Sequence, residues 1–188
     1  MADDTLETQR LVLRPQTLDD LPFIQRSMNT ARVMQFLGGK PRPEEDVANG
    51  LTLDIEAFGK GDWRKWMIWR RDGDCRIGVC GLFNMRSKAA PAALQGQTEI
   101  GWTLAEDYWG QGFATEAARA VLSYAFDRLA LPVVYSQTSD SNGPSTRMMH
   151  RLGFSARPEL GYHDPDYPDE DNPTTVWSLA AREFACDD

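Results

Sequence analysis

Apolar residues recur along this chain with the spacing of an α-helix in two long stretches. The longer one follows a glycine-containing turn and extends to about residue 129, with an apolar face made by Ala118, Val121, Leu122, Ala125, Phe126 and Leu129. The second extends from about Glu44 to Phe58 and is predicted to end at Gly59, with an apolar stripe made by Val47, Leu51, Ile55 and Phe58. Both stretches therefore predict helices that bury one face.

Two shorter helices are predicted mainly from their ends. Thr17 followed three residues later by Asp20 forms a capping-box pattern, which predicts a helix through about Met28. Another helix is predicted over residues 145–152, and Gly153 supplies a residue suited to end it.

Short apolar runs bounded by turn residues predict strands between these helices. They cover residues 11–14, 65–70, 76–82, 99–104, 132–138, about 154–162 and 174–180. Asp72-Gly73 separates the second run from the third and predicts a two-residue hairpin turn, whereas residues 86–96 predict a loop. The resulting order, β-α-α-β-β-β-α-β-α-β-β, predicts an α/β protein with a mixed central sheet of about six to seven strands, flanking helices and a single domain over residues 1–188.

Composition narrows the class of protein without identifying its function. The 188 residues suit one domain, and fractions of 41% hydrophobic and 26% charged residues are typical of soluble globular proteins. A net charge of −8 argues against nucleic acid as a partner, since phosphate contacts need clustered Lys and Arg. No signal peptide or membrane-length apolar run is visible, so a cytoplasmic location without membrane contact is expected. Cys75, Cys80 and Cys186 lack metal-ligand spacing and are expected to be reduced thiols.

The most informative motif lies between the strand at 99–104 and the long helix, where the chain reads Trp109-Gly110-Gln111-Gly112-Phe113-Ala114-Thr115. Small residues let a backbone approach a ligand closely, and the first free N–H groups of the helix point to the same place, so the turn is suited to an anion. A dinucleotide fingerprint is excluded because Thr115 replaces its third glycine, and no Gly-Lys-Ser/Thr of a P-loop is present. Taken alone, the two glycines are equally typical of a plain strand-to-helix turn.

The segment resembles the coenzyme A loop of the GNAT acetyltransferases, Gln/Arg-x-x-Gly-x-Gly/Ala, with Gly112 and Ala114 at the small positions. Trp109 stands where Gln or Arg is usual, a departure shared by the branch of ribosomal-protein N-terminal (RimJ/RimL-like) acetyltransferases. Three further motifs resemble that branch: residues 6–15, Gly78 with Gly81, and Asn142-Gly143-Pro144-Ser145 followed by Arg151-Leu152-Gly153-Phe154. Four motifs in the right order, along nearly the full chain, imply the GNAT (acyl-CoA N-acyltransferase) fold.

The resemblance implies an N-acetyltransferase that moves an acetyl group from acetyl-CoA, its co-substrate, to a primary amine by direct attack in a ternary complex, without a metal. The amine acceptor implied is a small molecule or a protein N-terminus, and the enzyme is expected to be a monomer or homodimer. A catalytically silent CoA-binding regulatory domain, or an acyltransferase that uses a longer acyl-CoA, remains an alternative. The residues implied to bind the coenzyme are Trp102, Thr103, Leu104, Gln111, Gly112, Phe113, Ala114, Thr115 and Asn142.

Some of these residues have a second interpretation. A backbone N–H at about Trp102 or Thr103 is suited to stabilise the oxyanion that develops on the thioester. Asn142 is expected to contact the pantetheine arm, or to serve only as a turn residue.

Glu99 and Ser145 are the predicted catalytic residues. An amine attacks only when neutral, while an alkylammonium has a pKa of about 10.4, so a base or a desolvated pocket must take its proton. Glu99 lies close to where family members that use a strand carboxylate place it; the alternative is a solvent-facing Glu, with water and backbone carbonyls as the base. Many relatives carry a catalytic Tyr at the position of Met149, whereas this branch has Ser145, which can hydrogen-bond the coenzyme sulfur or cap the helix.

Three further features remain open at this level. His150 is expected on the surface rather than as an acid, and His163 is unassigned. The run from Asp164 to Pro173 carries five carboxylates without the glycine or terminal Glu of a calcium loop, so it is a solvated connector or an acidic rim that favours a cationic amine. Four tryptophans line an apolar acceptor pocket or belong to the core: Trp63, Trp66, Trp69 and Trp102.

Overall fold

The computed structural model describes residues 4–85 and 87–184, which form one eight-stranded sheet with flanking helices. The strands are β1 (Leu6–Glu7), β2 (Leu11–Pro15), β3 (Arg64–Arg70), β4 (Cys75–Asn84), β5 (Thr98–Leu104), β6 (Val133–Ser139), β7 (Ser155–Ala156) and β8 (Thr174–Ala180). Their order across the sheet is β1-β2-β3-β4-β5-β6-β8-β7, and every neighbouring pair is antiparallel except β5 and β6. The predicted α/β class and mixed sheet are therefore confirmed, with one additional strand, β1. The strand predicted at about 154–162 is wrong in length, because within these residues only Ser155–Ala156 forms a strand against β8 and a 3₁₀ turn follows at Pro158–Leu160.

Four α-helical segments accompany the sheet: α1 (Leu21–Phe23), α2 (Glu44–Lys60), α3 (Phe113–Ser123) and α4 (Gly143–Leu152). The first is preceded by a 3₁₀ turn at Leu18–Asp20 and followed by a π-helical turn at Ile24–Met28, so the predicted helix through Met28 is not uniformly α-helical. A second π-helical turn, Tyr124–Arg128, extends α3. Further 3₁₀ turns occur at Val33–Phe36, Ala92–Leu94, Glu106–Tyr108, Pro158–Leu160, Asp169–Asp171 and Ala181–Glu183.

Two element ends differ from the sequence predictions for local reasons. Helix α2 continues past Gly59 to Lys60 and is capped by Gly61, which takes the left-handed conformation at φ 77°. Gly61 N–H donates to Phe58 O at 3.2 Å, and Asp62 N–H donates to Ala57 O at 3.0 Å. These bonds complete a Schellman motif, and only one of the two glycines can occupy its left-handed position. The β3–β4 connection has four residues, 71–74, rather than two, because Arg70 pairs with Cys75.

The two faces of the sheet are covered by different helices. Trp66, Leu82 and Ile100 lie on the face that packs against α3, in a core that includes Val121 and Leu122. The opposite face carries Lys65, whose ammonium forms an ion pair with Asp54 of α2 at 2.9 Å. Because side chains alternate along a strand, Glu99 shares this second face with Lys65 and Phe83.

Some predictions concern the whole chain rather than one element. Within residues 4–85 and 87–184, no helix is long and apolar enough to cross a membrane. In the same residues, no group of three or more His, Cys, Asp or Glu side chains is placed to hold a metal ion. Cys75 and Cys80 are free thiols, and burial raises the pKa of Cys80; Cys186 lies outside the described residues.

Candidate active site

A cleft opens where β5 and β6 separate. Among the described residues, these strands pair only at Glu99 opposite Tyr135, and Ser136 Oγ donates to Ile100 O at 3.0 Å just beyond that pair. Strand β6 stays paired with β8 up to Ser139, so it diverges from β5 without losing its own sheet partner. The edge of β5 beyond Ile100 is left open to an extended ligand.

The register of β4 and β5 determines which backbone groups of β5 face this cleft. Ala105 N–H donates to Ile77 O at 2.9 Å and Met85 N–H donates to Gln97 O at 2.8 Å, at the two ends of one antiparallel ladder. Since hydrogen-bonding direction alternates along a strand, the odd-numbered residues of β5 face β4 and the even-numbered residues face the cleft. Trp102 and Leu104 therefore point their N–H groups into the cleft, and Thr103 does not.

Trp109 occupies part of this open edge. Its indole Nε1 donates to Leu104 O at 2.8 Å, while 40% of the surface of the residue is exposed. The cleft-facing groups that remain on this edge are the N–H and C=O of Trp102 and the N–H of Leu104. A donor, an acceptor and a donor in an extended segment match the amide groups of a chain that adds beside a strand.

The glycine turn lies beyond this edge, at the start of α3. Gly110 and Gly112 both adopt left-handed conformations, at φ 72° and 81°, and Gly112 is the N-cap residue. Glu116 N–H is the first to donate within the helix, to Gly112 O at 3.1 Å, so the N–H groups of residues 113–115 have no intrahelical acceptor. A Cβ at Gly110 would meet nothing within 4 Å, and one at Gly112 would meet only Arg10 Nη2, at 3.4 Å. The glycines thus serve the backbone conformation and leave an uncovered surface above three free donors.

Arg10, between β1 and β2, contacts this turn. The sequence did not indicate this contact. Its Nε donates to Glu116 Oε2 at 2.6 Å and its Nη1 donates to Gln111 O at 3.1 Å, while Thr8 Oγ1 donates to Glu116 Oε1 at 2.6 Å. Partial burial opposes ionisation of Glu116, but the hydrogen bonds from Thr8 and Arg10 outweigh it and hold its pKa below the usual value. Local sequence carries no signal of this contact, because Arg10 and Glu116 are 106 residues apart.

Glu99 is buried at the end of the cleft where β5 and β6 pair, with only 6% of its surface exposed. Burial raises the pKa of its carboxyl to about 7, against smaller lowering effects of a hydrogen bond from Gln137 and the charge of Lys65. Phe83 pairs with Glu99 across β4 and β5, and its ring lies over the neighbouring Gly101 on the same face of the sheet. The alternative of a solvent-facing Glu is therefore wrong, and the carboxyl can exchange a proton near neutral pH.

Asn142, rather than Ser145, caps helix α4. Asn142 is the N-cap of α4, since its Oδ1 accepts from Ser145 N–H at 3.3 Å. The helix starts at Gly143, so the predicted start at Ser145 and its capping role are wrong. Asn142 Nδ2 also donates to Thr138 Oγ1 at 3.0 Å. Within the described residues, the Ser145 hydroxyl forms no hydrogen bond and stays available to a ligand.

The acidic run is not a uniformly solvated connector. Asp164 and Asp171 are buried, and they accept hydrogen bonds from Ser87 Oγ at 2.7 Å and Ser141 Oγ at 3.1 Å. The other three carboxylates of the run, Asp166, Asp169 and Glu170, are exposed. Tyr167 is 37% exposed, and the partial burial of its hydroxyl together with the charges of Asp164 and Glu99 raises its pKa. The run therefore folds against the Glu99 side of the cleft.

The remaining candidates have structural roles. Trp66 is fully buried and its Nε1 donates to Asp4 O at 2.7 Å, so the four tryptophans do not line one pocket. His150 is exposed, as predicted, with its ring 4.8 Å from that of Trp177. His163 is also exposed, and Met149 is buried in the core.

Comparison with known proteins gives this geometry a context. A model of the acetyltransferase (GNAT) domain matches residues 10–155. The uncharacterized N-acetyltransferase p20 of Bacillus licheniformis is 29% identical over 152 residues, which cover 80% of this chain and 82% of that protein. Spermidine N(1)-acetyltransferase of Escherichia coli (strain K12) is 26% identical over 148 residues, which cover 79% of this chain and 74% of that protein.

Solved structures agree with the sequence relatives. The structure of RimL, a ribosomal L7/L12 alpha-N-protein acetyltransferase in complex with coenzyme A, superposes with a TM-score of 0.78. The sequences are 16% identical, and the match covers 94% of this chain and 98% of that one, so the likeness is one of fold. The fold predicted from the four motifs is thereby confirmed.

Proposed function

This chain belongs to the GNAT acetyltransferases, and from that membership we propose that it transfers an acetyl group from acetyl-CoA to a primary amine by direct attack in a ternary complex. The observation that carries the proposal is the buried carboxyl of Glu99, with a pKa of about 7, beside the open edge of β5. Burial of a carboxyl costs stability, and such strongly shifted groups are concentrated at functional sites, where a pKa near neutral suits proton transfer from an amine.

The coenzyme fits along the cleft in an extended form. In this proposal the pantetheine amides bond to the C=O of Trp102 and the N–H of Leu104, which leaves the N–H of Trp102 for the thioester oxygen. Thr103 adds at most a side-chain contact. The pyrophosphate accepts from the free N–H groups at the start of α3, where the helix dipole also favours an anion. Asn142 lies beside the pantetheine arm while it caps α4. The turn residues assigned to the coenzyme are Gln111, Gly112, Phe113, Ala114 and Thr115.

Glu99 then acts as the general base. Proton transfer from an alkylammonium with a pKa of about 10.4 to an ordinary Glu is unfavourable by roughly 8 kcal/mol, and burial of Glu99 lowers that cost by roughly 3 kcal/mol. The neutral amine attacks the thioester carbon, and Trp102 N–H stabilises the oxyanion that forms. The C–S bond breaks, and the coenzyme thiolate leaves with a hydrogen bond from the Ser145 hydroxyl. The nitrogen loses its second proton as the amide forms, and that proton converts the thiolate to the free thiol.

The acceptor in this proposal is an amine with additional positive charge. The exposed carboxylates of the acidic run, Asp166, Asp169 and Glu170, lie on the connection that folds against Glu99. Their field attracts cations toward the entrance and repels acidic acceptors. Both a polyamine and a basic protein N-terminus have this chemistry, and the relative named as a spermidine acetyltransferase supports the first.

Release of free coenzyme thiol tests the function directly. We expect release from acetyl-CoA only when an amine is supplied, with diamines and basic N-terminal peptides preferred over neutral amines. A parallel series with succinyl-CoA separates acetyl transfer from transfer of a longer acyl group. Saturable CoA binding without amine-dependent release across such a panel would indicate a regulatory CoA-binding domain instead.

A further inference from the structure

Gln137 lies between Glu99 and a tyrosine from another part of the chain. Tyr162 Oη donates to Gln137 Oε1 at 2.7 Å. Gln137 lies on β6 next to the Glu99–Tyr135 pair, and its side-chain amide lowers the pKa of the Glu99 carboxyl. We propose that Tyr162 and Gln137 are positioning residues that hold the Glu99 carboxylate in the orientation needed to accept the proton of the amine. This inference rests on the base role of Glu99 in the proposed function.

Strand pairing in the sheet anchors the backbone of both Gln137 and Tyr162. Gln137 is on β6, two residues beyond the Tyr135 that pairs with Glu99, and it pairs on its other side with Val176 of β8. Tyr162 is held by an antiparallel bridge to Thr174, with N–H···O distances of 3.2 and 2.8 Å in the two directions. The tyrosine hydroxyl therefore approaches Gln137 from an anchored backbone.

Tyr162 determines whether the oxygen or the NH₂ of the Gln137 amide faces Glu99. A Gln side chain has an oxygen that accepts and an NH₂ that donates, and only the NH₂ is favourable beside a carboxylate. Tyr162 Oη supplies a donor to the oxygen, which leaves the NH₂ for Glu99. Burial raises the pKa of Tyr162 to about 12, so its hydroxyl keeps its proton and remains a donor throughout the working pH range.

Charged and titratable groups approach Glu99 from β3, from α2 and from the connection before β8. They do not replace the contacts that link Tyr162, Gln137 and Glu99. Lys65 of β3 lowers the pKa of Glu99, and its ammonium is shared with Asp54 of α2. Tyr162, Asp164 and Tyr167 approach from the connection before β8, and the charge of Glu99 acts on both tyrosines. Because Gln137 and Tyr162 are neutral, their loss changes hydrogen bonding to Glu99 without changing the net charge of the site.

The test compares pH profiles of kcat/KM for amine-dependent thiol release. Without the Tyr162 hydroxyl, the Gln137 amide can turn its oxygen toward Glu99. An oxygen in that position disfavours the ionised form of Glu99 and raises its pKa. In Tyr162→Phe we expect the acid limb to move up by about one pH unit, the effect of losing one hydrogen bond to a charged group. The rate then falls about tenfold at pH 6 and changes little at pH 9. Tyr167→Phe is the matched control, because within the described residues the Tyr167 hydroxyl forms no hydrogen bond; its limb should stay in place.

A double variant separates positioning from general damage. If Tyr162 acts through Gln137, the limb of Tyr162→Phe/Gln137→Leu should coincide with that of Gln137→Leu alone. An unmoved limb in Tyr162→Phe, or shifts that add in the double variant, would overturn the inference. Glu99→Gln separates failure of the base role from failure of the positioning role. If the acid limb persists in Glu99→Gln, both the base role of Glu99 and its positioning by Tyr162 and Gln137 are overturned. A limb lost in Glu99→Gln but unmoved in Tyr162→Phe overturns the positioning alone. Melting temperature and CoA affinity, measured on every variant, identify folding defects.

Discussion

The two ends of the cleft between β5 and β6 are built from different parts of the chain. At the coenzyme end, the proposed anion site consists of main-chain N–H groups within residues 110–115. At the acceptor end, Glu99 interacts with side chains from separate segments, including Gln137 and Lys65. The coenzyme end should therefore respond to changes in backbone conformation, and the acceptor end should respond to changes in individual polar side chains.

Loss of the Glu99 carboxyl should have the largest effect. Glu99→Gln keeps the shape of the side chain but removes the base, so turnover at neutral pH should fall roughly 10²–10⁴-fold. CoA affinity should not change, because the coenzyme site that we propose lies at the other end of the cleft. Part of the loss should return at high pH, where the amine deprotonates unaided. Near wild-type turnover at pH 7 would assign the base role to water and backbone carbonyls.

A backbone change at the coenzyme end should produce the opposite pattern. Gly112→Val places a branched side chain at φ 81° above the free N–H groups, so CoA affinity should fall roughly 10- to 100-fold as hydrogen bonds to the pyrophosphate are lost. Calorimetric titration with CoA measures this effect.

Gly96→Val is the matched control for backbone strain alone. Gly96 has a similar φ of 74°, and a Cβ there would meet nothing within 4 Å. It should lower stability without weakening CoA binding. Equal CoA affinity in Gly112→Val and Gly96→Val would show that the turn does not hold the coenzyme.

The acceptor end was harder to predict from sequence than the coenzyme end, and the reason is physical. Gly110 and Gly112 have their effect within the turn that contains them, so a local pattern identified it. Glu99 was found as a carboxylate on a strand, but Gln137 and Tyr162 were missed because their contacts depend on how distant strands pair.

The fold shows the same limit. Helices and long strands follow from local periodicity, while β1 was missed because two residues carry no periodic pattern. The start of α4 was misplaced because either Asn142 or Ser145 can cap a helix, and tertiary packing selects Asn142.

Ser145 and Asn142 allow a finer separation of catalysis from stability. Ser145→Ala should lower kcat about tenfold, the effect of one lost hydrogen bond to a developing thiolate, with an unchanged melting temperature. Asn142→Ala should lower stability by about 1 kcal/mol through loss of the cap, which corresponds to a fall of roughly 2–4 °C in Tm. A Ser145→Ala variant with lower Tm and unchanged kcat would remove Ser145 from the mechanism.

The exposed carboxylates of the acidic run should have the smallest effect. Neutralising Asp166, Asp169 and Glu170 together should lower kcat/KM for a diamine roughly two- to fivefold at low salt, because exposed charges act over a Debye length of about 8–10 Å. Added salt should reduce wild-type efficiency to a similar degree, while KM for the anionic acetyl-CoA should stay constant or fall. Asp164 and Asp171 are left intact because they are buried and hydrogen-bonded. Efficiency that is independent of salt would make the run a connector only.

Direct titration of Glu99 tests the central claim, that a buried carboxyl is set to accept the proton of the amine. Carbon-13 NMR of protein labelled at the Glu side-chain carboxyl gives each titration curve, and the signal missing from Glu99→Gln identifies the residue. Burial predicts a midpoint of about 7, with the active carboxylate present above that pH and the inactive acid below it. A midpoint near the ordinary value of about 4.3 would contradict the claim, because it would mean that Glu99 is solvated and not adapted to act as the base.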